Sequence, residues 1–143
     1  IATEGTPAYA TLAKLRSANA KAEADGVAAI DAFKAVASSG DAPEFLQDFA
    51  KLRAGQLMVD TASFDEVVAQ LQALDVDYNA YRFSAREAMA LAAYKASDLK
   101  EAKTRFEGLV NDPETPRAMT QRSNIILELI VSSGKLPSDA SDS

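Results

Sequence analysis

The chain has 143 residues, 15 of them basic and 21 acidic, with a formal charge of −6 and neither histidine nor cysteine. A chain of this length forms one domain and buries about two-thirds of the surface that its unfolded form exposes, so its core needs no covalent staples. The missing Cys and His exclude disulfides, thiolate nucleophiles, zinc sites built on those residues and imidazole acid–base chemistry, and the acidity argues against nucleic acid or an anionic membrane surface as partner.

Alanine is abundant, glycine and proline are few and clustered, and runs of β-branched residues are absent, which favours helix throughout. In chain order, "IATEGT" (1–6) is small, polar and aperiodic and reads as a disordered tail. A first helix is predicted over 7–25 and, past Gly26, a second over 27–38. The "SSGDAP" break (38–43) leads into a third over 43–61, and Ser63 introduces a fourth over 64–74. After "DVDYNAY" (75–81) comes a fifth over 84–96, then "SD" and a sixth over 99–110. "NDPETP" (111–116) precedes a seventh over 116–133, Gly134 stops it, and "KLPSDASDS" (135–143) reads as a second disordered tail. The densest apolar run, "IILELIV" (125–131), is broken by Glu128 and falls far short of the roughly 20 residues that span a bilayer. The chain starts at Ile1 without an initiator Met and reads as a fragment whose signal or anchor, if it has one, lies upstream.

Three of these helices share a pattern. "SDLKEAKTRFEGL" sets Ala102, Phe106 and Leu109 on one face, "ADGVAAIDAFKAV" sets Ala29, Phe33 and Val36 at the same spacing, and "ASFDEVVAQLQAL" sets Val67, Leu71 and Leu74. The copies lie 38 and then 35 residues apart, a period that points to stacked helix pairs. Twelve residues before each anchor stand Ser17, Gly55 and Ala90, all small, as the close crossing of two helices requires. This resembles the tetratricopeptide repeat. The best copy has Ala102, Phe106 and Pro113 in place, the second has Val67 where Ala is expected, and the Trp of helix A is absent everywhere. The expected fold is an all-α, tetratricopeptide-repeat-like solenoid of about three degenerate antiparallel helix pairs plus a C-terminal helix, covering 7–134. The alternative is an all-helical bundle, because any Ala-rich amphipathic helices align in this way.

Segment order narrows the resemblance. "AIDAFKAVASSGDAPEFLQDFAKLRAGQLMVDTASFDEV" followed by "YRFSAREAMALAAYKASDLKEAKTRFEGLVNDPETPRAMTQRSNIILELI" is similar to the bacterial tetratricopeptide-repeat-like family of the ancillary SecYEG translocon subunit, over about 8–134. That family implies a single-pass inner-membrane protein with a periplasmic repeat domain that scaffolds envelope partners and chaperones near the translocon.

The chemical motifs are weak. Asp75, Asp77 and Asn79 open like a calcium loop, but Ala80 and Arg86 stand where its Gly and bidentate Glu belong. Ser97/Lys100 and Ser132/Lys135 have Ser-x-x-Lys spacing without the companion elements of penicillin-binding enzymes, and Ser97 suits a helix-capping turn instead. Asp65/Glu66 and Asp112/Glu114 sit at helix ends, where the dipole accounts for them. No glycine-rich phosphate loop is present, so the sequence offers no positive support for an enzyme, and it implies no metal or cofactor.

Counting within the repeats, the resemblance implies a peptide groove lined by Lys14, Ala18, Lys21 and Ala22, then Leu52, Gln56, Val59 and Asp60, then Glu87, Leu91, Tyr94 and Lys95. Apolar residues mixed with both charges suit an extended segment of another protein. The last helix, with Ile125, Ile126, Leu127, Leu129, Ile130 and Val131, is too apolar all round for an end that faces water. It packs deeply, or it makes a homodimer through Ile126, Leu129 and Ile130. The expected function is a non-enzymatic protein-interaction scaffold; the alternatives are that self-associating module and a small-ligand sensor or enzyme.

Overall fold

A computed structural model describes residues 7–136, so the expected disordered tail 1–6, and all of the expected tail 135–143 but its first two residues, lie outside the described residues. Among these there are seven α-helices and no strands: α1 Pro7–Ala24, α2 Gly26–Ala37, α3 Glu44–Met58, α4 Phe64–Leu71, α5 Arg82–Lys95, α6 Leu99–Asn111 and α7 Arg117–Ser132. A 3₁₀ turn over Gln72–Leu74 prolongs α4. The all-α expectation holds.

The boundaries follow from local hydrogen-bonding chemistry. Asp25 stands between α1 and α2, and its carboxylate accepts from the amides of Val27 and Ala28 at 3.1 and 3.2 Å, satisfying donors that the first turn of α2 leaves free. In the loop before α3, the Gln47 side-chain amide donates to the Ser39 and Ala42 carbonyls at 2.5 and 3.0 Å. At the start of α4, Ser63 and Glu66 form a reciprocal capping box: each side chain accepts from the other's backbone amide at 3.2 Å. The α5–α6 turn places Ser97 at φ 62°, with the Asp98 amide donating to the Ala93 carbonyl and the Ser97 amide to the Tyr94 carbonyl, both at 3.0 Å. Asp98 then caps α6 by accepting from the Glu101 amide at 3.2 Å. Ser97 thus serves a turn, as its position between two helices suggests.

Apolar burial falls into three clusters that succeed one another along the chain. Leu15, Ala18, Phe33 and Val36 join Leu46, Ala50 and Ala54 between α1, α2 and α3. Ile30, Leu52, Met58, Val67, Leu71 and Met89 form the next, between α2 and α5. Phe83, Ala90, Ala102, Phe106, Leu109, Met119 and Ile130 form the third, between α5, α6 and α7, with Leu136 packed on its edge. The side chains of Phe33 and Phe106 are enclosed within these clusters, and each burial contributes about 2–3 kcal/mol. Each helix packs against its neighbours in sequence, and α3 also meets α5 directly.

Close approach is carried by small residues. Gly55 on α3 lies against Leu71 on α4, and Ala90 is fully buried in the third cluster. Ser17 is a correction to the expected crossing: it is exposed, and Ala18 is the buried residue of α1. The α1–α2 turn is the single residue Asp25, whereas the five residues 59–63 separate α3 from α4, so one fixed count across both turns does not reach equivalent positions, and on α1 it falls one residue from the buried Ala18. On a helix that error is about 100° of rotation.

Arginines on α5 tie the loops down. Arg86 donates to Asp75 at 2.5 Å and Asp112 at 3.3 Å, and Arg82 to Glu114 at 3.2 Å. Both guanidinium groups lie over the Phe83 ring, at 5.2 and 4.4 Å.

Candidate functional site

A cleft of about 220 Å³ opens where α3 meets α5. Gln56, Val59 and Asp60 line it from the end of α3, and Ser84, Glu87, Ala88, Leu91 and Lys95 line it from α5. The α5 set follows from helical geometry, since residues 84, 88, 91 and 95 recur three and four apart and so share one face. Leu91, Val59 and Ala88 provide apolar wall. The Lys95 ammonium pairs with the Asp60 carboxylate, bridging α5 and the end of α3. Both partners are more than half exposed, so this pair is worth only a few tenths of a kcal/mol to about 1 kcal/mol and is readily exchanged for a ligand's charges.

Two of the other polar side chains, Gln56 and Glu87, already have partners. The Gln56 side-chain carbonyl accepts from Arg53 at 3.0 Å. Glu87 accepts two parallel bonds from the Arg122 guanidinium of α7, both at 3.0 Å. These bonds and the nearby carboxylate charge push Arg122 above its ordinary value, so it stays fully protonated. Arg122 thereby neutralises the carboxylate on one rim, and the sequence count had no means to find it, because it comes from a helix outside the counted pairs.

Of the twelve groove residues expected from the resemblance, Gln56, Val59, Asp60, Glu87, Leu91 and Lys95 line this one cleft. The other six go elsewhere. Leu52 is buried in the second cluster, and Tyr94 is half-buried against the third. Lys14 and Lys21 are exposed on α1, which contributes nothing to the cleft lining, Ala18 is interior, and Ala22 is half-buried against the first cluster. Ser84 and Ala88 were missed, although each follows from Leu91 by counting seven and three residues back along α5.

The self-association set is also divided. Ile130 is 0% exposed and sits in the third cluster, so it is core and cannot meet a second copy without unpacking α7. Ile126 is half-buried against the same cluster, and Leu129 is 50% exposed. Ile125 and Val131, at 58% and 62%, make up the rest of the outward apolar surface of α7.

The aspartates of the 75–81 loop face a cation from the protein itself, since Arg86 lies 2.5 Å from Asp75 and 3.9 Å from Asp77. Among the described residues no group of three or more acidic side chains is disposed to hold a metal, and no helix is long and apolar enough to cross a membrane. No protein-family model, curated protein or solved structure matches the chain.

Proposed function

We propose that this chain is a non-enzymatic, tetratricopeptide-repeat-like scaffold that holds an extended segment of another protein in the cleft between α3 and α5. The observation that carries this reading is the convergence on one cleft of six residues picked out by counting through the repeats. The succession of three apolar clusters along the chain, and the direct packing of α3 on α5, also favour hairpins stacked side by side over helices gathered round one centre. A mixed lining of apolar wall and exchangeable ion pair suits a peptide, whose side chains fill the hollow while its main chain and charges replace the Lys95–Asp60 pair.

In cellular terms the chain is the periplasmic part of a membrane-anchored bacterial protein that works with the Sec translocon or envelope chaperones. This follows from the resemblance in segment order, and it predicts a span of about 20 apolar residues ahead of Ile1 in the intact protein. An upstream coding sequence without such a span overturns the location and leaves the cleft reading intact.

The test of the cleft is peptide selection by display on the folded domain. Selected peptides are expected to bind Leu91→Arg at least tenfold more weakly than the parent, with the variant still folded at the assay temperature. Peptides that bind both equally overturn the assignment. A second reading, self-association, is favoured by the outward Ile125, Leu129 and Val131. Light scattering that finds the parent monomeric at high concentration removes it; a dimer that dissociates in Leu129→Glu supports it.

A further inference from the structure

A second hollow lies at the other end of α3, about 20 Å along the helix from Val59. It encloses about 500 Å³ between the first two turns of α3 and the 75–81 loop. Two aromatic residues on its lining are strongly exposed: Phe45 by 63% and Tyr78 by 90%. Such rings are costly to leave in water and are the residue types that anchor interfaces. The Tyr81 ring completes the lining and is held against Phe49 at 6.2 Å between centroids.

The carboxylates of Glu44 and Asp48 lie one turn apart on the same wall, and no basic side chain of the described residues is within ion-pair distance of either. The loop that carries the aromatics is preformed. The Asn79 side-chain amide donates to the Asp48 carboxylate at 3.2 Å, joining loop to helix before anything binds, and the Asn79 side-chain carbonyl accepts from the Tyr81 backbone amide at 2.8 Å within the loop. A ring face attracts a cation through its quadrupole, and an uncompensated carboxylate does so through its charge. Lys51 is the basic residue of the lining and stands about 10 Å along α3 from Glu44. The hollow is thus polar in one direction, with its cation-seeking end at Glu44 and Phe45.

We infer that this hollow takes an arginine or lysine side chain from an extended partner segment, clasped between the Phe45 and Tyr78 rings and neutralised by Glu44 and Asp48. The inference rests on the reading of the chain as a peptide-binding scaffold and adds a second, charge-selective subsite to it. Lys51 sets the direction of the bound segment, because it repels the cation and receives a carbonyl or carboxylate further along the partner.

The test is fluorescence anisotropy with a fluorescein-labelled glycine-serine peptide carrying two arginines, beside a twin with citrulline in their place. The arginine peptide is expected to saturate in the range of about 10–500 μM at low salt, and the citrulline twin to bind at least tenfold more weakly. Tyr78→Ala and Phe45→Ala should each weaken the arginine peptide fivefold or more. Glu44→Gln with Asp48→Asn should weaken it similarly and flatten its salt dependence. Asp65→Asn, which removes a charge on the exposed start of α4, should leave it unchanged, separating the hollow from the general acidity of the chain. The exposure of Tyr78 keeps its truncation from disturbing the fold, and equal melting temperatures check this.

Equal binding of the citrulline twin overturns the inference, as does unchanged affinity in Tyr78→Ala. Absence of saturation by about 1 mM overturns it too. Binding that ignores Tyr78→Ala but falls in Leu91→Arg overturns this subsite while the α3–α5 cleft stands, so the two readings fail separately.

Discussion

Gly55 decides how closely α3 and α4 approach, and replacing it with alanine sets two opposing effects against each other. A methyl group there would sit 2.3 Å from Leu71 Cδ2, 2.4 Å from its Cγ and 2.7 Å from its Cδ1, well inside the roughly 3.5–4.0 Å at which carbon atoms attract. Leu71 has no room to retreat, because it is fully buried among Leu52, Met58, Val67 and Met89. Overpacking of this kind costs about 1–3 kcal/mol. Against it stands the gain of about 1 kcal/mol for alanine over glycine in a helix interior. The net expectation for Gly55→Ala is a loss of up to about 2 kcal/mol, the severe overlap favouring the upper end, read in thermal denaturation as a melting point lower by up to roughly 8 °C. Gly108 on α6 supplies the matched control: nothing lies within 4 Å of a methyl group there. Gly108→Ala keeps the helix gain alone and should raise the melting point. A Gly55→Ala protein as stable as Gly108→Ala would refute the reasoning, since it would mean that the crossing has slack. A double-mutant cycle sharpens the point, because truncating Leu71 should cost less in the Gly55→Ala background than in the parent.

The other predictions rest on single groups. Ser97 holds a left-handed backbone that glycine adopts freely, so Ser97→Gly should stabilise the domain by about 0.5–1 kcal/mol, measured by urea denaturation; a loss would count against the turn geometry. The Ser123 hydroxyl is fully buried in α7 without a hydrogen-bond partner, so Ser123→Ala should leave the domain as stable or about 1 kcal/mol more so, and a clear loss on calorimetry would reveal a partner for it. Ser63→Ala breaks the capping box of α4 and should cost about 1 kcal/mol in the same assay. Hydrogen bonds from the Ser63 backbone and side chain hold Glu66 below its ordinary value of 4.5. A depressed carboxyl stabilises the fold above its unfolded value, and that contribution is lost as pH falls from about 4.5 through the lower folded value. Glu66→Gln should therefore show a shallower loss of stability than the parent over that acid window, and identical pH profiles would contradict it.

Much of the helical framework was legible because its signals are local. Asp25, Ser63 and Asp98 cap helices in the structure as their residue types suggest, and the faces Ala29–Phe33–Val36, Val67–Leu71–Leu74 and Ala102–Phe106–Leu109 are all buried. The start of α5 was placed two residues late, at Ser84 instead of Arg82, because the polar linker residues gave no sign that Arg82 and Phe83 already turn helically. The candidate cleft was partly legible for the same local reason: its α5 wall is one stripe of a regular helix.

What the sequence by itself determined is which segments are helical, where each begins to within two residues, and which side of each amphipathic helix seeks cover. Tertiary structure alone decided which neighbour provides that cover. Leu52, Tyr94 and Ile130 were drawn into apolar clusters, the buried residue of α1 is Ala18 in place of Ser17, and Arg122 was brought from α7 onto Glu87. The physical reason is that alanine-rich helices such as α1 and α5 have small side chains all round, so their own pattern scarcely distinguishes one face from the next. The length of each turn and the bulk of the helices on either side then choose the face.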